Sequence, residues 1–315
     1  MAESDRLPRR CFLQSAAAGL GATGLLAAGG LSSCAAPRTQ AAGGPPVKDL
    51  WPIGIYTRPW AKFDWRVALD AIAEAGYRCA GLMSTNSKTR LVISVETTPD
   101  EARRVGEECR QRRLSVPSVY GGGIPVAESL EAGVVGMKRL IDNCAACGAA
   151  NLLMGGIGNE KLFDRYYQAI AETCAYAAEK GVGISVKPHG GLNATGPQCR
   201  KTIEKVGHPN FRIWYDPGNI FFYSEGQLNP VDDAATVAGL VVGMCVKDYQ
   251  PPKRVDLTPG DGQVDFTGVL RALKTGGFTS GALVVECLSP GDEKHLVAEA
   301  RRARQFVEQL VQGIA

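Results

Sequence analysis

The sequence predicts a closed (β/α)8 TIM barrel, and two observations support this prediction. Eight short apolar segments alternate with helical patterns over roughly 265 residues, whereas an open doubly wound sheet typically has fewer strands. Four of the apolar segments also end in polar residues, as expected of buried parallel strands whose C-terminal ends carry an active site. These four segments are residues 184–189, 213–216, 244–248 and 283–286.

The first four units each combine a strand with an amphipathic helix. Apolar residues along one helical face, a capping box from Thr98 to Glu101 and a terminating glycine at Gly76 mark the helices. The predicted strands are 53–56, 79–83, 116–120 and 151–154, and the helices that follow them start near Asp64, Pro99, Ser129 and Phe163.

The last four helices are predicted at 196–206, 229–240, 265–273 and 289–311. Asn229 and Ser289 are the expected N-caps of the second and the fourth, because each is followed by proline. The longest connection inside the barrel, 248–264, follows the seventh strand at the predicted active face. A loop of this length predicts a lid, and Asp248 is expected to anchor it.

The first 48 residues have the features of an export signal followed by a tether. Arg9 and Arg10 precede a soft apolar run that resembles a twin-arginine signal and is too short and glycine-rich to span a membrane. Leu31-Ser-Ser-Cys34 resembles a lipobox and predicts lipidation of Cys34, with cleavage just after Ala36 as the alternative. We expect a signal at 1–34, a flexible tether at 35–48 and a barrel at 49–315. The protein is therefore predicted to be exported, periplasmic or in the cell envelope, and to meet the membrane only through a lipid anchor.

Composition excludes some classes of function. The formal net charge of +3 lies partly in the signal and does not indicate a nucleic-acid partner. The ten cysteines are scattered through predicted strands and helices, and the one close pair, Cys144 and Cys147, falls inside a helix. Small buried hydrophobic residues are therefore expected, not a disulfide framework. Gly155-Gly-Ile-Gly158 lacks the G-x-G-x-x-G spacing of a dinucleotide loop.

Alternation along the last four strands predicts a shared polar site. Side chains two residues apart on a strand point to the same face. If these faces point into the barrel mouth, they bring together Lys187, His189, Asp216, Lys247 and Glu286. Two carboxylates, two amines and an imidazole suit proton transfer on a polar substrate. A structural ion pair in an inactive barrel is the alternative for Lys187, and a backbone hydrogen bond is the alternative for His189.

A second group of residues leaves the strands at the same opening. Tyr56, Arg58 and Trp60 follow the first strand and Tyr120 ends the third, while Asn219 follows the sixth. Aromatic rings with a charged fork suit stacking on a sugar and holding its hydroxyls or a carboxylate. The alternative for the aromatic residues is a packed rim without a ligand.

These motifs together resemble the xylose isomerase-like TIM-barrel superfamily, the sugar phosphate isomerase/epimerase group. The resemblance covers residues 50 to 312 and rests on four motifs in order: Asp216-Pro-Gly-Asn219, Val246-Lys-Asp248, Gly260-Asp-Gly-Gln-Val-Asp-Phe266 and Val284-Val-Glu286. It implies a divalent metal held by a glutamate, an aspartate, a histidine and a glutamate from strands five to eight. It also implies that the two glutamates act as acid and base beside a carbonyl.

Only half of the implied metal ligands are present. Asp216 and Glu286 match, but Lys187 stands at the strand-five glutamate position and Cys245 at the strand-seven histidine position. An ammonium repels a nearby cation, which argues against a manganese or magnesium site. Cys245, Asp216 and Glu286, with or without His189, could instead hold a softer ion such as zinc. We favour the other alternative, in which Lys187 takes the metal's place.

The two alternatives assign different roles to Lys187. Without metal, the nearby acids keep Lys187 protonated, so that it polarises a substrate oxygen while Glu286 accepts a proton. With metal, Lys187 is pushed toward the neutral amine and could act as the base.

The leading hypothesis is an exported enzyme that isomerises, epimerises or cleaves a carbohydrate or keto-sugar by removing a proton beside a carbonyl. A non-catalytic sugar-binding lipoprotein using the same mouth is the first alternative. A nucleic-acid endonuclease of the same superfamily is the second, and three histidines in the whole chain are too few for its three-metal site.

Overall fold

Eight parallel strands form a barrel in the computed structural model, which describes residues 51–314. The strands are β1 (Ile53–Tyr56), β2 (Cys79–Gly81), β3 (Val119–Tyr120), β4 (Asn151–Met154), β5 (Gly183–Val186), β6 (Phe211–Tyr215), β7 (Val241–Val246) and β8 (Ala282–Val285). The sheet order is β2-β1-β8-β7-β6-β5-β4-β3. Backbone hydrogen bonds then join its two ends, because Leu82 accepts from Tyr120 (2.8 Å) and donates to Ser118 (3.0 Å). The predicted (β/α)8 barrel is confirmed.

Helices follow the strands on the outside of the barrel. They are α1 (Trp65–Glu74), α2 (Pro99–Gln111), α3 (Leu130–Cys147), α4 (Glu160–Glu179), α5 (Gly196–Val206), α6 (Pro217–Tyr223), α7 (Pro230–Ala235), α8 (Phe266–Thr275) and α9 (Glu293–Gln312). Asp64 and Ser129 cap α1 and α3 as expected, and Thr98 forms the predicted capping box with Glu101. None of the helices between residues 51 and 314 is long and apolar enough to cross a membrane.

Two helix predictions were wrong. The helix expected from Asn229 to Leu240 is only the short α7, and the additional helix α6 starts directly after Asp216. The last helix begins after Asp292, not at Ser289, because the Asp292 side chain accepts the His295 N–H. Ser289 instead exchanges two hydrogen bonds with Thr258 of the long loop.

The buried apolar residues form two layers. The larger layer lies between the strands and the helices. The smaller one fills the barrel interior with Tyr56, Met83, Leu153, Trp214, Cys245, Ala282 and Val284. The cysteines of the described chain are buried free thiols, Cys144 and Cys147 among them, in agreement with their predicted role as small core residues.

The predictions for residues 1–34, Cys34 and the tether 35–48 concern a part of the chain outside the described residues.

Candidate active site

Each of the last four strands delivers one charged side chain to the mouth of the barrel. Lys187, Asp216, Lys247 and Glu286 each come one residue after the end of β5, β6, β7 and β8. The residues two positions before Asp216, Lys247 and Glu286 fill the barrel interior; they are Trp214, Cys245 and Val284. Because side chains alternate along a strand, the charged residues lie above this apolar floor on the inner face. The structure brings four of the predicted side chains together: Lys187, Asp216, Lys247 and Glu286.

The four side chains form one connected network of ion pairs. Lys187 Nζ lies 2.6 Å from Glu286 Oε2 and 3.1 Å from Asp216 Oδ2. Lys247 Nζ lies 2.7 Å from Glu286 Oε1 and 3.3 Å from the same Asp216 oxygen. All four side chains are at most 4% exposed, so solvent screens these contacts little.

Asp216 is held in place because it also caps a helix. It is the N-cap of α6, and its Oδ1 accepts the backbone N–H of Asn219 at 3.0 Å. Its Oδ2 therefore remains for the two ammonium groups. Asn219 is held in turn, since its side-chain oxygen accepts from Lys247 (2.9 Å) and its side-chain nitrogen donates to Pro188 O (2.6 Å).

Opposite charges decide the ionisation states in this network. Burial by itself would lower the pKa of Lys187, but the negative charges of Glu286 and Asp216 outweigh burial and raise this pKa well above its usual value. Burial opposes the charge of Lys247 too, and Asp216 and Glu286 again raise the pKa. Burial alone would raise the pKa of Glu286, whereas the two lysines and Arg58 hold it well below its usual range. Both ammonium groups and the Glu286 carboxylate are thus charged at neutral pH.

Arg58 links the network to the rim. It follows β1 in a short 3-10 helix, and its guanidinium lies 2.6 Å from Glu286 Oε1 and 3.6 Å from Asp256 Oδ1. Asp256 belongs to the loop that was predicted to be a lid. The base of this loop is fixed because the Asp248 carboxylate accepts backbone N–H groups of Tyr249, Gly260, Gly262 and Val264. The anchoring role predicted for Asp248 is confirmed.

A cavity of about 230 Å³ opens above the ion-pair network. Its lining includes the predicted residues Arg58, Tyr120, Lys187, His189, Asn219, Lys247 and Glu286, together with Met83, Ser84, Phe222, Tyr223 and Val255. The Lys187 ammonium lies 6.0 Å from the centre of the Tyr120 ring. The cavity therefore combines a charged floor with an aromatic wall.

His189 lies in this wall with its side chain open to the cavity. The centre of its ring is 6.1 Å from that of Tyr120 and 5.8 Å from that of Tyr223. Partial removal from water and the positive charge of Lys187 lower its pKa to about 4. Its imidazole is therefore neutral at neutral pH.

Two residues assigned to substrate binding lie elsewhere. Trp60 is fully buried in the apolar layer outside the strands, where its ring packs in the main core. Tyr56 is fully buried inside the barrel among Trp214, Cys245 and their neighbours, below the charged residues. The substrate-binding interpretation is wrong for Trp60 and Tyr56, because both side chains pack in the core and neither lines the cavity. Arg58 and Tyr120 do line the cavity.

Phe222 and Tyr223 were missed because α6 was missed. Asp216 followed by Pro217 is an N-cap followed by proline, a pattern that predicts the start of a helix. Val255 and Asp256 come from the long loop, for which the sequence contains no comparable signal.

The charged residues do not fit a divalent metal in the arrangement observed. Ligand atoms of Asp216, Cys245 and Glu286 lie within 4.8 Å of one another, close enough to share an ion. However, the Lys187 ammonium bonds to both carboxylates, and a positive charge at this distance repels a cation. The ammonium lies where a metal ion would need to be.

Comparisons with known proteins agree with this architecture. A domain protein of the xylose isomerase type from Planctomyces limnophilus is 20% identical, with a TM-score of 0.67 over 84% of this chain and 99% of the other. D-psicose 3-epimerase from Clostridium cellulolyticum H10, solved with D-tagatose, is 14% identical, with a TM-score of 0.65 over 82% and 99%. D-allulose 3-epimerase from Methylomonas sp., solved with D-allulose, is 16% identical, with a TM-score of 0.63 over 83% and 97%.

At these identities the structural likeness establishes the fold alone. A search of curated proteins found no significant match. The model of one protein family, described as xylose isomerase-like TIM barrel, matches residues 69–310, which is most of the chain. The chain therefore belongs to the xylose isomerase-like TIM-barrel family.

Proposed function

We propose that this protein is a sugar isomerase/epimerase-like enzyme, or a related lyase, that removes a proton beside a carbonyl without a metal ion. The observation that carries the proposal is the position of the Lys187 ammonium, 2.6 Å from Glu286 and 3.1 Å from Asp216 at the barrel mouth. A fixed cation beside a carboxylate supplies the two groups that such a proton transfer needs.

Lys187 polarises the substrate carbonyl in this proposal. An ammonium has three N–H groups, and Asp216 and Glu286 accept two of them. The third is available to a ligand in the cavity that Lys187 lines. A carbonyl oxygen bound there gains negative charge as the neighbouring carbon loses its proton, and the buried ammonium stabilises that charge.

Glu286 accepts the proton. It is a weak base while Lys187, Lys247 and Arg58 all contact it. As the substrate oxygen gains negative charge it competes for the Lys187 ammonium, so the ion pair with Glu286 Oε2 weakens and the pKa of Glu286 rises. Return of the proton by the carboxyl group to the neighbouring carbon, with a hydroxyl proton passing between the two oxygens of the enediol, gives isomerisation. Epimerisation results instead when a water molecule protonates the original carbon from the opposite face and the Glu286 proton passes to the hydroxide that remains. His189 remains neutral and is placed to exchange hydrogen bonds with substrate hydroxyls.

A carbohydrate substrate is part of the same proposal. The D-psicose and D-allulose 3-epimerases that share this fold were solved with D-tagatose and D-allulose, which are ketohexoses. The aromatic wall of the cavity suits the apolar face of a sugar ring.

Solvent-proton exchange tests the proposal without presuming the product. Oxidised mono- and disaccharides are incubated with the protein in deuterated water, and deuterium incorporation beside the carbonyl is followed by NMR. We expect incorporation with the native chain and a decrease of at least about 100-fold for Glu286→Gln, because general acid–base groups contribute that much. Glu204→Gln changes an exposed carboxylate on α5 and is the matched control.

Sugar binding without exchange would contradict the enzymatic proposal and favour the non-catalytic sugar-binding alternative. In that case Glu286→Gln would still bind the sugar, and neither protein would incorporate deuterium.

We also propose that the chain is exported and anchored through Cys34, on the basis of residues 1–34 alone. Cys34→Ser should release the protein from the membrane fraction of the producing bacterium, and twin lysines in place of Arg9 and Arg10 should retain it in the cytoplasm. Unchanged fractionation of either variant would contradict this part.

A further inference from the structure

The buried network carries an excess of one positive charge. Three cations, Arg58, Lys187 and Lys247, contact two carboxylates, Asp216 and Glu286. Burial raises the pKa of Cys245 well above its usual value, so its thiol adds no charge, and His189 is neutral at the cavity wall. A third acid, Asp256, balances the excess only through a long and exposed contact with Arg58, so the cavity favours an occupant that brings one negative charge.

Arg58 directs this excess toward the cavity. One of its nitrogens bonds to Glu286 at 2.6 Å, and its side chain is 31% exposed, whereas Lys187 and Lys247 are buried. A guanidinium carries five N–H donors in a planar fork that matches a carboxylate. Most of these donors remain open at the mouth, since the contact with Asp256 is long at 3.6 Å.

Asp256 occupies the position that a substrate carboxylate would need. It approaches Arg58 from the tip of the loop, with a side chain that is 68% exposed. Exposed ion pairs of this kind contribute little to stability, so a ligand can displace Asp256 easily. The carboxylate of Asp256 therefore marks a weak anion site on the outer side of Arg58.

The size of the cavity limits the ligand. About 230 Å³ is smaller than the roughly 300–1,000 Å³ of pockets for drug-sized molecules, so a single sugar unit is the appropriate size. A phosphate monoester carries nearly two negative charges at neutral pH and would exceed the single excess charge.

We propose that the substrate is a carboxylate-bearing sugar, a sugar acid or keto acid of monosaccharide size, whose carboxylate displaces Asp256 and binds the fork of Arg58. This inference rests on the proposed function, which places the reacting carbonyl end of the substrate at Lys187 and Glu286. The carboxylate end lies at Arg58, so one molecule spans the cavity floor from the rim to the ammonium.

Calorimetric binding of matched pairs tests this inference. The probes are D-glucuronate with D-glucose, D-galacturonate with D-galactose, and D-gluconate with D-glucitol. We expect at least one acid to bind 10-fold or more tightly than its neutral partner. Arg58→Gln should remove that preference. Asp256→Asn should increase the acid's affinity severalfold, because the internal competitor is gone.

Asp261→Asn is the matched control in the same loop, since Asp261 pairs with Arg302 outside the cavity. Asp256 is on the surface, so its variant tests the proposal even if Arg58→Gln does not fold. Equal affinity for acids and neutral partners, no binding by any acid, or unchanged affinity of Asp256→Asn overturns the inference. The binding assay does not depend on turnover, so acid-selective binding supports this inference even if deuterium exchange is absent. Conversely, exchange with a neutral sugar and no preference for acids supports the proposed function but overturns this inference.

Discussion

In the proposed function, Lys187 determines the chemistry of this barrel more than any other side chain. An ammonium cannot ligate a metal ion, yet it can offer a fixed positive charge to a substrate oxygen. Its two carboxylate partners are also the two positions that match the metal ligands implied by the family resemblance. The amine at this strand end thus separates the chain from the metal site that the family resemblance implies, while two of the implied acids are kept.

Replacing Lys187 by methionine should remove both activity and stability. The change leaves Asp216 and Glu286 buried with Lys247 shared between them and Arg58 on Glu286, and loss of one partner from a buried ion pair typically costs about 3–5 kcal/mol. Urea unfolding should report a decrease near the lower end of that range, because Lys247 still compensates in part. Lys201→Met on exposed α5 should stay within about 0.5 kcal/mol of the native chain. Native-like stability of Lys187→Met would show that the ion pairs are not formed as described.

His189 should titrate far below an ordinary histidine. Its pKa is lowered to about 4 by partial desolvation and by Lys187. Between pH 4 and about 6.5 the unfolded chain therefore binds one proton that the folded chain does not. The contribution of His189 to stability is full above about pH 6.5 and decreases as the pH falls toward 4.

Imidazole NMR of the folded protein checks this prediction. We expect the His189 ring to show its inflection near pH 4, and His189→Gln to identify its resonance. An inflection near pH 6.5 would mean that the ring is fully solvated and does not sense the nearby ammonium groups.

Among the structural elements, the long loop after β7 connects the fold to the site. Its base depends on Asp248, whose carboxylate accepts four backbone N–H groups, and its tip brings Val255 to the cavity and Asp256 to Arg58. A loop with a fixed base and a weakly held tip is suited to open and close over a ligand.

Asp248→Asn should loosen this loop. An amide has only one acceptor oxygen, so the four N–H groups cannot all remain bonded, and hydrogen bonds to a charged acceptor are worth about 1.5–3 kcal/mol. Limited proteolysis should cut the loop between residues 249 and 264 faster, by 10-fold or more. Asp261→Asn is again the control, and equal cleavage of both variants would contradict the anchoring role.

The strands and most helices could be predicted because local patterns determine them. The apolar segments, the capping box at Thr98 and the N-cap Ser129 each carry a short-range signal. Helix α6 was missed because Asp216 was considered only as a site residue, although the same aspartate caps the helix. Asp216 is both the N-cap of α6 and a member of the charged site, so the sequence has to be searched for both roles.

The site was predictable only in part for a similar reason. Strand alternation placed Lys187, Asp216, Lys247 and Glu286 on one face, since the period of a strand fixes that relation. It could not determine that Trp60 packs into the outer core, or that Asp256 reaches Arg58 across the mouth. Those contacts depend on how loops fold over the barrel, which no short sequence pattern specifies.

Considered as a whole, the molecule is a xylose isomerase-like barrel with a buried amine between two carboxylates at its mouth. The strands provide a rigid floor, with the interior filled by Trp214, Cys245 and their neighbours, so the charged groups are held in place before any ligand arrives. Preorganised charge of this kind is the main means by which such a site can stabilise an enolate-like transition state.

The metal content of the purified protein tests this account most directly. The chain is produced in medium supplemented with manganese, magnesium, cobalt and zinc, desalted without chelator and analysed by inductively coupled plasma mass spectrometry, with deuterium exchange recorded on the same sample. The account predicts each metal at less than about one-tenth of an ion per chain, because the ammonium repels a cation, and exchange that survives chelation. One bound ion per chain, removed together with the exchange activity by chelation, would contradict it.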